Sequence, residues 1–140
     1  MITAPMKILF PLNFIRARAY AAGIPHKIAR RVSPPAIKNE LIKGLLEIFQ
    51  GDISMIILYG SVARNEAGPE SDIDIAIIMK KDMDEDRKDR FISWSADMDI
   101  RYDRVFSIVD IREDNMKKWV NVLPFYRNVQ EEGVVLWKAA

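Results

Sequence analysis

Gly60 and Ser61 are followed, after ten intervening residues, by Asp72 and Asp74, so a small-residue turn and two carboxylates two positions apart fall within one short stretch. A glycine lets the backbone approach a ligand closely, and a helix opening over Ser61 to Asn65 would turn its unpaired amides toward an anion. Ser61 adds a hydroxyl and Arg64 a cation. Two hard carboxylate oxygens suit Mg²⁺, which proteins hold with a few carboxylates plus the phosphates of a substrate. Turn and carboxylates together could hold a nucleoside triphosphate and its magnesium, and the chemistry they suit is nucleotidyl transfer.

Strands must position these groups. Met55 to Tyr59 is apolar throughout and too short for a helix, as expected of a buried strand ending at Gly60. From Asp72 to Ile78 the period of two puts both aspartates on one face and Ile73, Ile75 and Ile77 on the other. A two-ion site, with cations about 3.5–4 Å apart, needs a further carboxylate from a neighbouring strand. Asp103 is the favoured candidate: it opens the strand-like run Tyr102 to Asp110, after a helix expected over Asp84 to Ala96. Asp97 and Asp99, expected in the turn before that strand, and Asp110 at its end compete for the role. The plain alternative for Asp103 is a surface carboxylate paired with Arg101 or Arg104.

The pattern Gly60-Ser61, ten residues, then Asp72-x-Asp74, with Ala63-Arg64 inside the spacer, resembles the signature of the polymerase β nucleotidyltransferase superfamily, specifically its small minimal, antitoxin-like members. The tail from Leu123 to Trp137 is similar to the closing helix and strand of these domains, so the resemblance covers roughly residues 36 to 138. It implies an α/β fold, a small mixed β-sheet with helices packed on it. It also implies roles: Gly60, Ser61 and Arg64 bind the triphosphate, Asp72 and Asp74 hold Mg²⁺, and Asp103 completes a two-ion site and helps activate the attacking hydroxyl. ATP is the expected donor and the cytoplasm the expected compartment. The pattern often has glycine where this chain has Asn65, a tolerable departure because Asn enters left-handed conformations readily.

Composition fits one domain: 140 residues, 49% of them hydrophobic, suffice for a sizeable core. With no cysteine and only His26, disulfides, thiolate zinc sites and histidine-based catalysis are excluded or disfavoured. No apolar run approaches the roughly 18 residues of a membrane span. The total charge of +1 hides an asymmetry, since residues 1–39 carry seven of the 21 basic side chains and no acid, leaving 14 basic against 20 acidic beyond them, a net of −6. Residues 1–35 therefore read as a basic extension, whose alternatives are a partner- or membrane-binding amphipathic helix, a nucleic-acid contact, a targeting peptide or a loose leader. Residues 36–140 read as the nucleotidyltransferase domain, opening with a helix over Ala36 to Gln50. The charged stretch Lys80 to Arg90 reads as a loop and the start of a solvated helix, and the tryptophans and Phe125 and Tyr126 as core aromatics.

Three functions stand side by side. The chain adenylylates a partner protein, as in a toxin–antitoxin pair with a helical toxin; or it modifies a small molecule or an RNA end; or it keeps the fold and neutralises a partner by binding alone. An intact set of acids argues against the third.

Overall fold

Apolar side chains recurring every three or four residues from Ile37 to Phe49 wind helix α1 (Pro34–Phe49), which buries Leu41, Leu45, Ile48 and Phe49. The computed structural model describes residues 7–8, 34–64 and 71–140. A 3₁₀ turn over Gln50–Asp52 leads from α1 into strand β2 (Ile53–Tyr59), which is followed by the single turn α2 (Gly60–Ala63) and strand β3 (Ile73–Met79). Helix α3 (Glu85–Tyr102), strand β4 (Phe106–Arg112), helices α4 (Glu113–Trp119) and α5 (Pro124–Glu132) and strand β5 (Val134–Lys138) complete the chain. A two-residue strand β1 (Lys7–Ile8) lies against β4, giving the sheet order β1–β4–β3–β2–β5.

The sheet is mixed. β2 runs antiparallel to β3 and β5, whereas β3 and β4 are parallel, a pairing that needs the long crossover α3 supplies. Alternation along β3 is as the sequence implies: Ile73, Ile75 and Ile77 join the core beneath α1 and α3, while Ala76 and Ile78 pack on the other face with Tyr126 and Val129 of α5. Both faces are thus covered by helices, which explains why β2 and β3 are apolar nearly throughout.

Three expectations change. α3 continues past Ala96 because the buried positions Phe91, Ser95, Met98 and Tyr102 keep helical spacing to its last residue. It ends where Asp103 turns left-handed, at φ 48°, with its amide on the Asp99 carbonyl. Asp97 and Asp99 are therefore helical, the next strand starts at Phe106 rather than Tyr102, and Asp103 sits in a turn rather than on a strand. Helix α4, which carries the acids Glu113 and Asp114 in its first turn where the helix dipole favours them, is an element the sequence reading lacked. Of the basic extension, residues 1–35, the backbone is described at residues 7–8, pairing Lys7 with Asp110 and Ile8 with Val109, and at residues 34–35, which open α1; the readings of the remaining arm lie outside the described residues. Among the described residues no helix is long and apolar enough to cross a membrane.

α1 meets α3 at Gly44, where a Cβ would collide with the Trp94 indole and lie 2.6 Å from Cζ2. Gly44→Ala should destabilise the fold by about 1–3 kcal/mol through overpacking, and Trp94→Leu in the same chain should recover part of the loss in thermal denaturation. Equal melting of Gly44→Ala and wild type would contradict this contact.

Candidate active site

The site forms where two strands pair. Tyr59, the last residue of β2, is the register partner of Asp74 on β3, so Gly60 lands directly against the Asp74 side chain. Gly60 has φ +73°, and a Cβ there would collide with Asp74 Oδ2 and lie 3.1 Å from Cγ. Glycine is required twice, for the left-handed backbone and for the space the carboxylate fills. The amide of Arg64 closes α2 on the Gly60 carbonyl at 3.1 Å. Because α2 is a single turn, any grip on an anion comes from the local amides of the Gly60-Ser61 turn, not from a macrodipole.

Asp74 is half-buried, and burial first, then the neighbouring charge of Asp72, pushes its carboxyl up to about 6, against the lowering effect of Arg64. The same burial, with the Asp74 charge, raises the Tyr59 hydroxyl above its usual range. Tyr59 is wedged edge-on against Phe125 at 5.5 Å between ring centres. A part-buried carboxylate whose charge a neighbouring carboxylate disfavours is stabilised by a cation between them, and hard oxygen donors suit a divalent ion such as Mg²⁺. Residues Asp72 and Asp74 fit that group on this ground.

Arg64 reaches across to α5, where Nη1 donates to Glu132 Oε2 at 3.1 Å. Of the other acids weighed from sequence, Asp103 is in the α3–β4 turn, and Asp110 is buried on β4 beside Ile77. Asp99 is only 1% exposed; its Oδ1 accepts the Phe106 amide at 2.9 Å and its Oδ2 has no hydrogen-bond partner among the described residues. Burial chiefly raises its carboxyl to about 7, with the Asp72 charge adding to the rise and the Phe106 amide opposing it. The β4 residue in register with Asp74 is Ser107, so that strand offers a hydroxyl at this level. Among the described residues no three acidic, cysteine or histidine side chains converge on one metal position. Glu132 was not foreseen, because its partner is 68 residues away; the depth of Asp99 could have been found by continuing the spacing of Phe91, Ser95 and Met98.

Residues 40–139 match the family model described as polymerase beta, nucleotidyltransferase. A Methanocaldococcus jannaschii protein described as a candidate protein adenylyltransferase is 37% identical over 102 residues, covering 73% of this chain and 95% of that protein. A solved mutant of the toxin–antitoxin pair MntA–HpeT shares the fold, with TM-score 0.50, 20% identity and 73% of each chain covered. A toxin–antitoxin structure with AMP-PNP is also similar, at TM-score 0.49 and 21% identity over 73% of each chain.

Asp99 provides a test of the buried site. Its folded pKa lies above the unfolded value of about 3.9, so its contribution to stability is full below about pH 4 and is lost as pH rises through about 7. Asp99→Asn keeps an oxygen for the Phe106 amide and carries no charge. In metal-free buffer its melting temperature should exceed that of wild type at pH 8, the advantage shrinking toward pH 4 by up to about 1.4 kcal/mol per pH unit. A difference independent of pH would contradict a carboxyl that is neutral by preference.

Proposed function

The chain belongs to the polymerase beta nucleotidyltransferase family, and from that premise we propose that it transfers the nucleoside monophosphate of a triphosphate, AMP from ATP, to a hydroxyl on a protein. The observation that carries the proposal is the contact of the Asp74 carboxylate with Gly60, which joins the glycine turn to a carboxylate whose charge burial and Asp72 disfavour. A protein acceptor is favoured because the relative at 37% identity is described as a candidate protein adenylyltransferase. The partner expected from the family resemblance is a helical toxin.

In this mechanism the amides of Gly60 and Ser61, with the Ser61 hydroxyl, hold the β and γ phosphates, and Arg64 faces the same anion from the end of α2. Asp72 and Asp74 are the ligands proposed for Mg²⁺, and Asp103, in the turn beside Asp72, is the carboxylate proposed for a second ion. When bound, the cation supplies neutralisation of the triphosphate and of the charge that develops as pyrophosphate leaves. The protein's own part is orientation: the turn fixes the leaving end, so that an acceptor hydroxyl entering beside Asp103 meets the α-phosphorus in line.

Purified protein incubated with α-labelled ATP, Mg²⁺ and cell extract should transfer label to a protease-sensitive acceptor. Asp72→Asn/Asp74→Asn and chelation by EDTA should each abolish the transfer, and Ser61→Ala should slow it by about 10²-fold. Label recovered in RNA or in a small molecule would overturn the protein acceptor. ATP binding without transfer to anything would leave a binding module in place of an enzyme.

A further inference from the structure

Asp72 lies outside the ladder that holds Asp74. Pairing between β2 and β3 ends at Tyr59 and Asp74, and β3 itself starts at Ile73, so Asp72 lies just beyond the end of both. The α3–β4 turn holds the backbone on either side of it. The Arg104 guanidinium donates through Nε and Nη2 to the Ser71 carbonyl at 3.2 and 2.9 Å. The next residue, Val105, accepts the Ile73 amide at 2.8 Å. The Ser71 carbonyl belongs to the peptide before Asp72 and the Ile73 amide to the peptide after it, so two successive residues hold both peptide planes that flank one carboxylate. With both planes fixed, the backbone dihedrals of Asp72 are fixed too.

The clasp is itself anchored. Asp99 receives the Phe106 amide on Oδ1 at 2.9 Å and the Arg104 amide on its carbonyl at 3.2 Å, and Asp103 makes the left-handed turn between them. The plain alternative from sequence pairs Asp103 with Arg101 or Arg104; the fork of Arg104 on the Ser71 carbonyl gives that guanidinium a further use. A charged, part-buried guanidinium spending two donors on one neutral carbonyl is an arrangement that fixes geometry.

We propose that Arg104 is a positioning residue that sets the direction of the Asp72 carboxylate toward Asp74 and thereby the affinity of the pair for a divalent cation. This rests on the nucleotidyltransferase reading of the site. Partners that orient metal ligands typically change metal affinity 10–100-fold when replaced. The sign separates positioning from charge: removing a cation beside a cation site strengthens binding if charge is what matters, and weakens it if orientation is.

The test is Mn²⁺ binding followed by electron paramagnetic resonance on wild type, Asp72→Asn, Arg104→Gln and Arg104→Lys, with Ile73 amide exchange recorded on the same proteins. Arg104→Gln should bind Mn²⁺ at least about tenfold more weakly, with faster exchange at Ile73. Arg104→Lys, which keeps the charge but one point donor instead of a fork, should fall between Gln and wild type. If Arg104→Gln does not fold, the Lys variant decides: weaker binding than wild type supports the proposal, and equal or tighter binding overturns it. Unchanged or tighter binding by folded Arg104→Gln likewise overturns it. Wild type that binds no Mn²⁺, or binds it equally well as Asp72→Asn, overturns the proposed function together with this inference, a result distinct from failure of the inference alone.

Discussion

A carboxylate packed against a glycine is the constraint on which this site depends. Asp74 and Gly60 meet because Tyr59 and Asp74 are register partners at the end of the β2–β3 ladder, and nothing larger than glycine fits between. A slip of one residue would exchange Asp74 for an isoleucine and drive the carboxylate into the core. Such a slip is opposed by Ile73, Ile75 and Ile77, each buried and each worth about 1.5–3 kcal/mol of apolar transfer. Hydrophobic alternation on one face therefore holds the register that brings Asp74 against Gly60 on the other.

The electrostatic consequence follows from the same contact. Part-burial and the neighbouring Asp72 disfavour the charged form of Asp74, while Arg64 offsets part of that cost. A site in that state gains from an incoming cation, and a cation gains from an incoming triphosphate. Arg64 is shared between this field and Glu132 of α5, which ties the turn to the far end of the chain. The helices on both faces thus position functional groups as well as covering the sheet.

Much of this was legible in the sequence, and the rest was hidden for physical reasons. Gly60, Ser61, Asp72 and Asp74 announce themselves because local spacing sets both strand alternation and the turn between strands. Apolar spacing likewise predicts α1, and the order of acids before bases predicts the start of α3 at Asp84, whose side chain accepts the Arg87 amide at 2.8 Å. The end of α3 was misplaced because charged residues from Asp97 to Arg101 conceal a buried stripe that continues to Tyr102. That error placed Asp103 on a strand, where the structure has a turn. The clasp of Ser71 by Arg104 and the pairing of Arg64 with Glu132 join residues 33 and 68 positions apart, and no local pattern encodes either.

The central claim is that the Gly60 turn and the aspartate pair are one site for a nucleotide and its cation. The most direct measurement is paramagnetic broadening of amide signals in ¹⁵N-labelled protein during titration with Mn²⁺ and a non-hydrolysable ATP analogue. Signals of Gly60, Ser61 and Asp74 should broaden first and together, and Asp74→Asn should abolish the effect. Broadening centred instead on the apolar groove at the other end of β2, near Ser54, Lys80 and Lys117, would contradict it.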